Sequence, residues 1–124
     1  MEVKRLHAAA RYDAARHFDM RSLRLQGLDA THVEHFWVGL SHFLPDGGAQ
    51  WDAGPTEKVY VVLSGEITLT TAGGDVVLKA LDSCVIPAGE GRSIRNDSRL
   101  PASMLVILAS ALPGSQSTGE GNND

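Results

Sequence analysis

Leu81-Asp82-Ser83-Cys84-Val85-Ile86-Pro87-Ala88-Gly89-Glu90-Gly91-Arg92-Ser93-Ile94-Arg95-Asn96 is the stretch on which the reading of the fold turns. Cys84-Val85-Ile86 is a short apolar run, and Pro87 stops it by withdrawing an amide donor. Gly89 stands where the chain must reverse tightly, a place that often demands positive φ. From Arg92 to Asn96 the chain extends again. A strand, a Pro-Ala-Gly turn and a second strand follow each other within sixteen residues, 81–96.

The pattern repeats outward from this segment. Upstream, Lys58-Val59-Tyr60-Val61-Val62-Leu63 has the β-branched and aromatic content of a strand. Ser64-Gly65 turns it into Glu66-Ile67-Thr68-Leu69-Thr70-Thr71, whose polar and apolar residues alternate as in a half-buried strand. Gly73-Gly74-Asp75 makes a further turn into Val76-Val77-Leu78. Downstream, Asp97 to Pro101 separates the central segment from a last strand, Ser103 to Ala109. Toward the N-terminus, His32 to Phe43 is rich in Val, Phe, Trp and Leu, and the cluster Pro45-Asp46-Gly47-Gly48 predicts its end. Met20 to Leu25 reads as a first strand closed by Gly27. Ala8 to Arg16 holds good helix formers in too short a run for more than one or two turns. Short strands at regular spacing with turns between them define an all-β antiparallel sandwich or barrel. The expected organisation is an N-terminal arm over 1–19, a barrel over 20–112 and a C-terminal tail over 113–124 without apolar residues to dock it.

Composition narrows the function. With 124 residues, 43% apolar and 21% charged, the chain is an ordinary globular domain with one core. A net charge of -4 and no basic run longer than Lys4-Arg5 argue against a nucleic-acid surface. No apolar stretch approaches the length of a bilayer-spanning helix, so a membrane partner is not expected. The first residues carry no signal-like apolar run, and Cys84 is the one cysteine, so a cytoplasmic location is the expectation. The ordinary reading of Cys84 is a small buried residue of a strand.

From Gly47 to about Leu108 the sequence resembles a small single-domain cupin of the type-2, RmlC-like kind. Lys58 to Glu66 is similar to the first cupin motif, with its hydrophobic strand and glycine turn. Leu81 to Asn96 is similar to the second, and more specifically so, since Asp82, Pro87, Gly89 and Asn96 stand in order after a hydrophobic strand. The resemblance implies a cupin-type antiparallel barrel, or jelly roll.

It also implies where metal ligands would stand. Metal-binding cupins place two His and one Glu on the first motif and one His on the second, converging at about 2.0–2.2 Å on a divalent ion. Aligned on Gly65, these positions hold Asp52, Gly54, Lys58 and Arg92. A shift of one residue in the loop offers Trp51 and Ala53 instead. All five histidines, His7, His17, His32, His35 and His42, precede the motifs. Lys and Arg offer no lone pair and repel a cation. No metal and no cofactor are therefore expected. Read as strand residues, His32 and His35 face opposite sides, as do His35 and His42, so they are expected to be partly exposed or hydrogen-bonded.

The expected ligand-binding residues are Arg92, Lys58, Asp52 and Tyr60, and no catalytic residue is assigned. On one reading, Lys58 and Arg92 bind the carboxylate or phosphate of a small anionic metabolite. A metal-independent isomerase, epimerase or lyase is an alternative, with Asp52 or Tyr60 as general acid or base. On another, Asp52 pairs with Arg92 or Lys58 and only ties strands together. A dioxygenase-like metal enzyme is the second alternative. A homodimer is expected, because barrels of this size often pair through edge strands and the apolar residues of the N-terminal segment have little to cover them.

Overall fold

The computed structural model describes residues 1–110. One turn of 3-10 helix, Leu6–Ala8, precedes nine strands: β1 (Ala10–Tyr12), β2 (His17–Gln26), β3 (Phe36–Ala53), β4 (Lys58–Ser64), β5 (Glu66–Thr71), β6 (Gly74–Lys79), β7 (Ser83–Ile86), β8 (Gly91–Arg95) and β9 (Ala102–Ala109). The tail expected over 113–124 lies outside the described residues.

Every ladder is antiparallel. The strand order is β6-β5-β8-β3-β9-β4-β7, with β2 and then β1 laid against β3. This is a nearly closed jelly-roll barrel, as the short-strand pattern predicts. β6 and β7, the two ends of this path, share no ladder, and residues of both line one cavity.

Period-two alternation sets which side chains enter the barrel. Along β9, Ala102, Met104, Val106 and Leu108 are buried, and along β4 so are Lys58, Tyr60 and Val62. The β4–β9 register pairs Lys58 with Leu108, Tyr60 with Val106 and Val62 with Met104, so these residues share one inner surface. Phe43, Ile67, Leu69, Leu78, Ile86 and Ile94 complete the core. Gly65 at φ 72° and Gly89 at φ 81° adopt the left-handed backbone expected at the two turns.

Two expectations are corrected. The cluster Pro45-Asp46-Gly47-Gly48 does not end a strand; β3 runs through it for 18 residues. Phe36 to Phe43 pairs with β9, and Gly48 to Ala53 pairs with β8, so the cluster is a corner at which one strand changes partners. Asp46, at φ 69°, makes the bend. The corner stays hydrogen-bonded, because the Asp46 N–H donates to the Asn96 carbonyl at 2.9 Å and the Asn96 N–H to that of Gly47 at 2.8 Å. The Asn96 side chain adds to this: its amide donates to the carbonyls of Phe43 at 3.2 Å and Leu100 at 2.8 Å.

The N-terminal segment is the second correction. No helical turns form over Ala8 to Arg16 beyond the 3-10 turn; Ala10–Tyr12 is a strand on β2, and β2 starts at His17, before Met20. Packing outweighs the weak helical preference. The Arg24 guanidinium lies 4.2 Å from the Tyr12 ring centre and 4.7 Å from that of Trp37. The two rings meet edge to face at 5.5 Å. Arg24 is also paired with Asp29 at 3.3 Å.

Candidate functional site

The inner surface of β4 and β8 brings three of the four expected residues together. Lys58, Tyr60 and Arg92 are each at most 2% exposed. The Arg92 Nε donates to the Tyr60 hydroxyl at 2.8 Å, and its Nη1 donates to the main-chain carbonyl of Gln50 at 3.3 Å. Its Nη2 is buried and has no hydrogen-bond partner. One edge of a planar guanidinium is thus held by the barrel while part of its donor fork stays unmatched.

Asp52 is the fourth, and it behaves differently. The β3–β8 ladder sets it directly across from Arg92, yet its carboxylate pairs with Arg16 at 2.9 Å, and its side chain is 16% exposed. The Asp52–Arg92 ion pair is not formed, because the guanidinium is turned to Tyr60 and Gln50. Arg16 reaches this end of the barrel because the start of β2 pairs with β3, where His17 lies across from Ala49. The Arg16 carbonyl accepts from the Gln50 N–H at 3.0 Å.

The balance of charge inside the barrel follows. Among the described residues, the buried polar and charged side chains are Ser22, Arg24, Ser41, Lys58, Thr68, Arg92 and Asn96, which include three cations and no carboxylate. Asp29 offsets Arg24, and Arg92, held by Tyr60 and Gln50 with no carboxylate paired to it, is the buried cation whose low-dielectric surroundings favour an anion. The same balance also tests the cupin metal site. The ligand positions hold Asp52, Gly54, Lys58 and Arg92, and a cation placed there would meet an ammonium and a guanidinium, so this donor set does not fit a divalent ion.

The histidines lie elsewhere. His32 and His35 sit in the loop before β3, both exposed, so the strand parity used to separate them does not apply. His42 is on the opposite face of β3 from the buried Ser41 and Phe43, with its Nδ1 2.8 Å from the Ser103 hydroxyl. Among the described residues, no group of three or more His, Cys, Asp and Glu side chains is placed to hold a metal ion.

Cys84 is half-buried on β7, across the ladder from Tyr60, and is not a core residue. Burial pushes its thiol pKa up; a backbone hydrogen bond at Tyr60 works against this, and the nearby charge of Glu90 works with it. Trp51 is 52% exposed, with its ring laid over Gly91 at the start of β8. Three features were missed by sequence reasoning. The Gln50 carbonyl is a main-chain group with no side-chain signature. Arg16 and the Arg24–Tyr12–Trp37 stack depend on which strand pairs with β2, although the spaced aromatics around a strand arginine were a usable signal.

A nearly closed jelly roll whose polar side chains converge inside the barrel defines a cupin-type domain. The comparisons agree: residues 39–108 match the family model described as Cupin domain, and the chain belongs to that family. A protein of Mycobacterium tuberculosis named beta-D-galactosidase is 43% identical over 109 residues, covering 88% of this chain and 94% of that one. Among solved structures, the polyketide cyclase RemF from Streptomyces resistomycificus superposes with a TM-score of 0.79 at 15% identity, covering 98% of this chain and 90% of that one. A sugar phosphate isomerase of the cupin superfamily from Silicibacter pomeroyi gives 0.75 at 23% identity, over 90% and 76% of the two chains. These two likenesses establish the fold.

Among the described residues, no helix is long and apolar enough to cross a membrane.

Proposed function

We propose that the barrel binds a small sugar-type metabolite carrying a carboxylate or phosphate, and that it does so without a metal. The observation that carries this reading is Arg92: a fully buried guanidinium, fixed by Tyr60 and Gln50, with an unmatched Nη2 and no carboxylate paired to it. A ligand oxyanion meets that donor by a charge-assisted hydrogen bond, with Lys58 adding a second positive charge from β4. The sugar part of the proposal follows the name of the relative that is 43% identical.

Calorimetric titration of galactose, galacturonate and galactose 1-phosphate tests it. The two anionic sugars are expected to bind at least about tenfold more tightly than galactose, and Arg92→Met to remove that preference. Equal affinity for all three sugars would refute the anionic part.

The same relative favours a second reading, hydrolysis of a β-D-galactoside. Glycoside hydrolysis commonly employs two carboxylates about an oxocarbenium-like transition state. Asp52 lies across the ladder from Arg92, and the half-buried Glu90 precedes it by two residues. Release of nitrophenol from p-nitrophenyl β-D-galactoside, abolished in Asp52→Asn or Glu90→Gln, would support this reading. Unchanged release in both variants would exclude these carboxylates.

A further inference from the structure

The β6–β7 seam opens into a cavity of about 150 Å³ with Leu69, Val76, Leu78, Cys84, Ile86 and Glu90 in its wall. Two of these residues adjoin the site already described. Cys84 pairs across the ladder with Tyr60, and Ile86 pairs with Lys58. Directly opposed residues on one face of an antiparallel pair have their Cβ atoms about 4.5–5.5 Å apart. Cys84 and Ile86 therefore set the cavity wall against Tyr60 and Lys58 on the neighbouring strand. On the far side, Leu69 is set across from Ile94, two residues beyond Arg92 on β8.

We propose that this seam is an apolar subsite that receives an uncharged, benzene-sized group of the ligand. The proposal rests on the reading that the anionic end of that ligand sits on Arg92. Size, chemistry and charge each support it. A space of about 150 Å³ is large enough to hold benzene, and this one is open to solvent on one side, so a ring can enter it. Leu69, Leu78 and Ile86 are buried aliphatic side chains, and apart from Glu90 and Thr71, whose hydroxyl already accepts from the Gly73 N–H, the wall offers few hydrogen-bond partners to a hydroxylated ring. Glu90 puts a negative charge at the wall, which turns an anionic group away from the seam and toward Arg92. The seam has no backbone ladder between β6 and β7, so an apolar group enters there without breaking sheet hydrogen bonds.

Inorganic phosphate, phenyl phosphate and phenol serve as probes of the full chain. Cys84, the one cysteine of the sequence, serves as a reporter of the seam. Phenyl phosphate is expected to bind roughly tenfold more tightly than phosphate, or better. It should also slow modification of Cys84 by methyl methanethiosulfonate at least severalfold. Val76 is 57% exposed at the rim, so Val76→Trp should fill the opening, bring the two affinities within about twofold and leave phosphate binding unchanged. Equal affinities in the unmodified chain, or Cys84 modification that phenyl phosphate does not slow, would overturn the subsite.

Arg92→Met separates this from failure of the anion reading. If it leaves phosphate affinity unchanged, that reading falls, while the preference for phenyl phosphate and its loss in Val76→Trp still decide the seam. If neither phosphate compound binds, phenol decides: slowed Cys84 modification upholds the apolar subsite, and no slowing overturns it.

Discussion

Replacing Arg92 by Met removes the guanidinium and nearly preserves the volume of the side chain. The change deletes two hydrogen bonds from a charged donor, to Tyr60 and Gln50. At about 1.5–3 kcal/mol each, these amount to roughly 3–6 kcal/mol of lost interaction. Against this stands the desolvation of a buried cation that has one unmatched nitrogen and no carboxylate partner, a cost of several kcal/mol. The two effects nearly cancel, so Arg92→Met should change unfolding free energy by less than about 2 kcal/mol, while affinity for galacturonate falls by roughly tenfold to a hundredfold. Urea titrations give the first quantity and calorimetry the second. Because Asp52 turns to Arg16, the coupling between Asp52→Ala and Arg92→Met should stay below about 1 kcal/mol. A stability loss above roughly 4 kcal/mol, or a coupling near 3 kcal/mol, would show that Arg92 is a structural cross-link and would refute the reasoning.

The Arg24 guanidinium stacks on two rings, and Lys has no plane with which to do so; Arg24→Lys should cost about 1–3 kcal/mol in thermal or urea unfolding. Gly65→Ala should cost more than Gly89→Ala, about 2 kcal/mol or more against about 1 kcal/mol. Both have positive φ, but a Cβ at Gly65 would stand 2.7 Å from the Pro101 carbonyl oxygen, whereas at Gly89 it meets open space. Since folding raises the thiol pKa of Cys84, its alkylation rate should rise with pH through a midpoint above that of a free thiol, about 8.5; a midpoint at or below this value would contradict the burial seen here. We also propose a homodimer through the outer face of the barrel, where Val59, Val61, Leu105 and Ile107 are half-exposed side by side on β4 and β9. Light scattering at micromolar concentration should give twice the chain mass, and Val61→Glu should give the monomer.

Strands from Lys58 onward were legible because each is a short apolar or alternating run set off by turn residues, as Gly65 follows β4 and Pro87 follows β7. The corner in β3 was not, because Pro45 to Gly48 carry the same turn chemistry whether a chain stops or bends. Only the partner strands decide, since β9 holds one half of β3 and β8 the other. The N-terminal segment failed for a related reason: Ala8 to Arg16 look weakly helical alone, and the stack of Arg24 between Tyr12 and Trp37 joins residues from three strands. At the site, motif alignment and strand parity bring Lys58, Tyr60 and Arg92 inside. Neither indicates which way a carboxylate at the rim will turn. Asp52 was expected to pair with Arg92 or Lys58; no pair with Arg92 forms, and its carboxylate meets Arg16, whose approach depends on the path of the segment before β2.

One strand belongs to both halves of the barrel. β3 pairs with β9 before its corner and with β8 after it, so each half shares a continuous backbone with the other, and Asn96 fastens the bend. β6 and β7 remain free at the outer ends, but at β3 neither half can part from the other without opening the strand they share. Amide exchange from β9 and from β8 should accordingly require the same opening event, at the free energy of global unfolding. A substitution at the corner, such as Asn96→Ala, should lower protection on both sides of the molecule equally.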